Sequence, residues 1–431
     1  MKKLLATLLA VAMLLSVAAV AGAESADKPF AGVTLSVLGN SSNASTFMQN
    51  HLAEFEAETG IHVNYEQLTN DQLNTKILVS MAAGGADLDV YMFMAYQNTK
   101  MYVQNGWLEP LDEYITDDFE IGDFMEGCID MSSVDGKLYG IPHGSEYSIV
   151  FYNKTMLKEA EIDPESIKTY EDLLEACKTI EEKLPGTHGV ALRGQGNGSV
   201  TIVINPARAY GGDYIDAEGK AAVNSPEFIK GVEMYRDLLQ YAQEGASTMS
   251  WSDTCNVFAQ RQTAFRIDSD SQYHYLIDPT SSMVSEEEIG FLPLPAGDVC
   301  ASTTIGNWSV GMSYGSKNKE AAWEFIRWMN SKEACLKAAL EETATPARKS
   351  VLENPEVQAL YPTGYTDTAI ESGKIASGGA LPNMVYSSEA RTALGEALDE
   401  IFAGGDAKTY LDQANAIMQE LLDQEAEEAD N

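Results

Sequence analysis

The chain alternates between two hydrophobic periods. Val33–Gly39 places apolar and β-branched residues at every second position, the pattern of a strand. In the segment that follows, Met48, Leu52 and Phe55 recur at spacings of four and three, one face of a helix, and Gly60 suits its C-terminal cap. Ile61–Gln67 returns to the strand period, Asp71–Ala83 to the helical one, and Leu88–Phe93 to the strand period again. Strand, helix, strand, helix, strand at this spacing predicts a parallel sheet with helices packed on it.

The second half repeats the alternation. Ser148–Asn153 is a strand pattern. The helix after it has Thr169 as N-cap and Asp172 three positions on, a capping box. Another helix has Ser225 at its cap and Pro226 at its first position. Thr263–Asp268 and Ile289–Pro295 are further strand patterns, residues 318–340 form one long helical pattern, and Ser388–Phe402 and Lys408–Leu422 close the chain as helices. Gly194–Ser199 (GQGNGS) lacks the spacing of a phosphate-binding loop and is expected to be a flexible turn. Two α/β units joined more than once would enclose a cleft, the usual place for a ligand.

The first residues break the pattern. Lys2 and Lys3 precede an apolar run from Leu4 to Val20, which ends in the small-x-small sequence Ala21-Gly22-Ala23. This predicts a secretory signal at residues 1–23, cut before Glu24, with a polar tail at 24–32. The formal net charge of −37 sets the body of the protein against phosphate backbones and anionic lipid, so nucleic acid and bare membrane are excluded as expected partners. The five cysteines, Cys128, Cys177, Cys255, Cys300 and Cys335, form no CxxC pair and fit small buried hydrophobes.

Candidate chemistry gathers in Asp135–Leu157 (DGKLYGIPHGSEYSIVFYNKTML), where His143, Ser145 and Glu146 lie within four residues. Those are hydrolase residue types, but the chain has no G-x-S-x-G elbow. Its five histidines include no pair at metal-ligand spacing, and Asp268–Ser271 lacks the glycine and glutamate of a calcium loop. No metal and no cofactor are expected. Glu146 as the acid of a glycoside hydrolase would need a second carboxylate across the substrate. The aromatic residues say more. Tyr96 follows a strand end, Tyr147 and Tyr152 flank a strand, and Trp251 and Trp308 sit among polar neighbours. A flat ring beside amides and carboxylates suits a sugar, whose C–H face stacks while its hydroxyls need fixed partners.

Several segments, in order, resemble one family. These are FEAETGIHVNYE, GGADLDVYMFMA, NGWLEPLDEYI, the Asp135–Leu157 stretch, FAQRQTAFRIDSD, GNWSVGMSYGSKNKEAAWEFIRWM and TATPARKS. Together they resemble the family 1 extracellular solute-binding proteins of ABC importers, the group that includes the maltodextrin-binding proteins. Leu88 stands where that family commonly has proline, and Phe265 where it has methionine. The resemblance implies an α/β, two-lobed periplasmic-binding-protein fold of type II, each lobe a mostly parallel sheet flanked by helices and joined by hinge crossovers. Lobe 1 would hold residues 33–144 and 293–341, and lobe 2 residues 145–292 and 342–423, with an acidic tail at 424–431. It implies a monomer that is not an enzyme and that delivers a solute, expected to be a sugar, to a membrane permease. Carried over position by position, the ligand contacts would be Asn40, Ser42, Met94, Tyr96, Gln97, Glu146, Tyr147, Asp268, Asp270, Asn307, Trp308 and Arg348. The signal region lacks the lipidated cysteine of many Gram-positive members, so an exported form is expected that is free in the periplasm or medium or held at the cell surface by something else. The acidic residues keep a polyamine or other cation open as the solute, and the glycosidase remains the enzymatic alternative.

Overall fold

The computed structural model describes residues 28–429, so the expected signal segment and the start of the polar tail lie outside the described residues. The chain begins with strand β1 (Thr34–Asn40), helix α1 (Asn43–Thr59), β2 (His62–Leu68), α2 (Asn70–Ala82), β3 (Val90–Met94), α3 (Ala95–Gln104) and the short α4 (Glu126–Met131). Ser42 caps α1 by accepting the Ser45 N–H, and Gly60 ends it with φ 79°, a left-handed conformation that glycine adopts without strain. β2, β1 and β3 run parallel, as the alternation predicts.

The next strand departs from expectation. The segment expected to cross between lobes and then start a sheet is one continuous strand of 13 residues, β4 (Ile141–Asn153). After it come α5 (Tyr170–Lys183), β5 (His188–Ala191), α6 (Gly196–Ala209), α7 (Pro226–Leu239), α8 (Trp251–Ala259), β6 (Thr263–Ser269), β7 (Ile289–Pro293), β8 (Thr303–Met312), α9 (Lys319–Met329) and α10 (Lys332–Glu342). A short strand β9 (Ala376–Gly379) and helices α11 (Ser387–Phe402) and α12 (Ala407–Ala429) complete the chain. The strand order is β2-β1-β3-β8-β4-β6-β5, with β9 beside β8 and β7 beside β4. The β1–β2, β1–β3, β5–β6 and β8–β9 pairs are parallel. The pairs that β8 and β4 make with β3, β6, β7 and each other are antiparallel. The first half of β4 pairs with β8, and its second half with β6 and β7. β4 and β8 therefore form a two-strand ribbon that belongs to both halves of the molecule.

Two large apolar clusters flank this ribbon. One draws on Leu35–Ile141 together with Val310–Ala347, and the other on Val150–Leu294 together with Leu381–Met418. A third packs against the ribbon through Tyr147, Ile149, Phe151 and Ile305. This is the α/β two-lobed architecture that the resemblance implies.

Two local expectations are corrected. Gly194–Ser199 is not a turn: Gly196 opens α6. Its lack of a side chain serves packing, because a Cβ there would lie 2.1 Å from the Gly395 carbonyl oxygen on α11. The long helical pattern at 318–340 breaks in two, because Ser331 caps α10 by accepting the Ala334 N–H. The acidic tail stays helical to residue 429 in α12, anchored where Glu425 accepts the Val385 N–H at 2.7 Å and pairs with Lys100.

Candidate functional site

A cavity of ≈ 440 Å³ opens where strand ends from both halves meet the ribbon. Each wall follows from local structure. The end of β1 supplies Asn40, and the cap of α1 supplies Ser42 and Asn43. Asn40 Oδ1 accepts the Ser42 and Ser45 hydroxyls at 2.8 and 3.2 Å, which leaves its Nδ2 donors for the cavity. β3 delivers Met94 at its end, and Tyr96 lies in the first turn of α3. β8 contributes Trp308, the turn after β6 contributes Ser271–Tyr275, and Trp251 opens α8. Thr343–Thr345 close the far side.

β4 forms the floor with His143, Gly144, Ser145 and Glu146. Strict alternation would send half of these residues away. The register accounts for His143: Trp308 pairs with Gly144 while Ser309 pairs with Pro142, so His143 is the extra residue of a β-bulge, whereas Ser145 pairs with Asn307 and donates its hydroxyl to the Pro346 carbonyl. A bulge re-aims side chains in this way. The His143 Nδ1 lies 2.8 Å from Asn330 Oδ1, and the Asn330 amide donates its own N–H to the Ile326 carbonyl. That fixes Asn330 Oδ1 as an acceptor, so Nδ1 carries the proton. Burial lowers the His143 pKa, which keeps the ring neutral, and Nε2 presents a lone pair with no partner.

Glu146 Oε2 accepts the Ser269 hydroxyl at 2.9 Å. Burial, reinforced by the negative charge of Asp268, raises its carboxyl above the ordinary value, against that hydrogen bond and the Arg193 guanidinium. Opposite it stands Gly306, where a Cβ would lie at ordinary contact distance, 3.5 Å from Glu146 Cβ and 3.8 Å from the Tyr96 ring. The Tyr96 hydroxyl is pushed up to about 12, first by burial and then by Glu146. Trp251 and Tyr275 show 41% and 49% of their surface to solvent, with ring centroids 5.8 Å apart, so apolar faces remain open at the cavity.

The cavity thus brings together Asn40, Ser42, Met94, Tyr96, Glu146 and Trp308 of the expected contacts. The other six lie elsewhere, and each placement has a physical reason. Tyr147, next to Glu146 on the strand, faces the opposite side, where its hydroxyl lies 2.8 Å from the Met125 sulfur. Asn307, next to Trp308, is fully buried on that same side and donates to the Cys128 carbonyl and the Ser132 and Ser309 hydroxyls. Asp268 is buried between Arg193 and Arg266, 2.8 Å from Arg193 Nε and 3.1 Å from Arg266. Asp270 is buried and accepts the Tyr147 N–H at 3.0 Å. Arg348 is buried against Phe124 and donates to the carbonyls of Asn330 and Phe119 at 2.9 and 2.8 Å. Gln97 reaches Ser388 on α11 at 3.5 Å.

Sequence reasoning passed over Gln272, Tyr275 and Thr345 as contacts. The signal was in reach: the run SQYHY follows the acidic DSD at the end of β6, and Thr345 opens the TPAR loop. Glu146 is the only carboxylate on the cavity wall among the described residues, so the second carboxylate of a glycoside hydrolase is missing from it. No group of three or more metal-ligating side chains occurs among them, and no helix there is long and apolar enough to cross a membrane.

Comparison with known proteins agrees with this geometry. An erythritol/L-threitol-binding protein of Mycolicibacterium smegmatis is 26% identical over 411 residues, 88% of this chain and 84% of that protein. A putative binding protein of Brucella abortus is 26% identical over 396 residues, 90% of this chain and 93% of that protein. An ABC transporter solute-binding protein of Agrobacterium vitis, solved with bound D-mannitol, superposes with a TM-score of 0.74 at 25% identity, covering 92% of this chain and 99% of that one. The model of the family described as bacterial extracellular solute-binding protein matches residues 39–334. A two-lobed chain with an open polar cavity at a shared strand ribbon, matched over that span, belongs to the bacterial extracellular solute-binding protein family.

Proposed function

We propose that the protein captures a carbohydrate, a polyol or a sugar, in the cavity over β4 and β8, and hands it to an ABC importer. Its task is binding rather than chemistry. The observation that carries the reading is the pairing, in one cavity, of solvent-facing rings with amide and hydroxyl groups. Trp251 and Tyr275 offer C–H stacking surfaces, and Asn40, Ser42 and Gln272 offer hydrogen bonds. The M. smegmatis relative is named for two four-carbon polyols, and the A. vitis structure holds a six-carbon one. Both support a small hydroxylated solute here.

In this reading residues 33–144 with 293–341 act as one lobe and residues 145–292 with 342–423 as the other. The lobes close as rigid bodies about the β4–β8 ribbon. A solute that touches both lobes favours the closed state by its differential contacts. The chain acts as an exported monomer, and Asn40, Ser42, Met94, Tyr96, Glu146 and Trp308 are its contacts. Isothermal titration against polyols, mono- and disaccharides and spermidine tests the reading, with small-angle scattering to follow closure. Heat and compaction with a polyol or sugar are expected. Heat with spermidine alone would reject the carbohydrate assignment.

A further inference from the structure

The polar groups of the cavity are unevenly chosen. Among the described residues Glu146 is its only wall residue of the Asp, Glu, Lys and Arg types, and no lysine or arginine lines it. The guanidiniums of Arg193 and Arg266 are held by Asp268, and Arg391 donates to the Asn197 carbonyl away from the wall. His143 adds an acceptor, because its Nδ1 proton is directed at Asn330 and the buried Nε2 lone pair has no partner. The wall therefore holds the carboxylate of Glu146 and the unpartnered Nε2 acceptor of His143. A hydroxyl offers one donor and no charge. An ammonium offers three donors, no acceptor and the opposite charge. The open faces of Trp251 and Tyr275 also attract a cation.

We propose that the solute carries a protonated amine beside its hydroxyls, as an amino sugar or amino alditol does, with the ammonium held at Glu146. This rests on the carbohydrate reading of the same cavity and narrows it. Matched pairs differing only in an amine test it by isothermal titration at neutral pH. The pairs are D-glucitol and 1-amino-1-deoxy-D-glucitol, D-glucose and D-glucosamine, and cellobiose and the disaccharide of D-glucosamine. In at least one pair the amine member binds tenfold or more tightly than its neutral partner, and in none does the order reverse. Glu146→Gln brings that pair to within about threefold while the far-ultraviolet circular dichroism is unchanged. In the unaltered protein, raising the salt from about 50 to about 500 mM shrinks the preference, which tests the charge contribution without any variant. Equal or tighter binding of the neutral members overturns the amine assignment and leaves the carbohydrate reading standing. Heat from spermidine with none from any pair overturns the carbohydrate reading itself. Silence from every probe counts against both.

Discussion

The two faces of the β4–β8 ribbon are built from neighbouring residues and do opposite work. On the cleft face Glu146 and Trp308 line a cavity. On the other face Tyr147, Asn307 and Ile305 are buried, and the polar groups among them meet α4 and the segment leading into it through Met125, Cys128 and Ser132. Asp268 and Asp270, where β6 ends beside the ribbon, belong with the buried set. One step along a strand thus separates a group free to meet a solute from a group already committed to the fold. Period-two alternation enforces the separation, and the single bulge at His143 relaxes it.

If the two faces differ in this way, substitutions on the buried side should change stability and those on the cleft side affinity. The largest effect is expected at Asp268. Asp268→Ala would leave Arg193 and Arg266 buried without their carboxylate and should cost about 3–5 kcal/mol, read from the denaturant midpoint. Asp270 comes next. Burial, reinforced by the charge of Glu146, pushes its carboxyl up to about 8 from an ordinary 3.8. A carboxyl raised in the folded state holds its proton there, so its contribution is complete below the unfolded value and is lost as the pH rises through about 8. Asp270→Asn should therefore flatten the stability profile between about pH 4 and about pH 8 by roughly 2–4 kcal/mol, measured as the difference between variant and parent. Asn307→Ala removes three buried hydrogen bonds and should cost about 2 kcal/mol with the solute affinity kept. Trp251→Ala sharpens the contrast from the other side. The ring is 41% exposed, so stability should move by less than about 0.5 kcal/mol while affinity falls about tenfold. Equal affinity losses at Asn307 and Trp251 would break the comparison.

Much of the fold was legible in the sequence because it rests on periodicity. The parallel β1, β2 and β3, the capping box at Thr169 and the Ser225–Pro226 helix start all stand where the pattern puts them. The site was less legible, for a physical reason. Asn307 and Trp308 are both expected as contacts, yet they lie next to each other within β8, where adjacent side chains must diverge. Glu146 and Tyr147 diverge in the same way on β4. The bulge that turns His143 into the cavity shows only in the pairing of β4 with a strand far downstream. Asp268 and Arg348 have the charge that a solute contact needs. Their partners, Arg193 for the first and Asp123 for the second, come from distant segments that no local pattern connects to them.

The shared ribbon also sets an order of assembly as the chain emerges. β3 pairs with β8, and the apolar cluster around β1–β3 is completed only by Val310–Ala347. The other cluster, around β5 and β6, waits in turn for Leu381–Met418. Neither half can bury its core from its own first stretch of chain, so long loops must close before either is rewarded. Neither core can therefore be completed before Val310–Ala347 is available, and a protein truncated before β8 should meet proteases as an open chain rather than as a folded lobe.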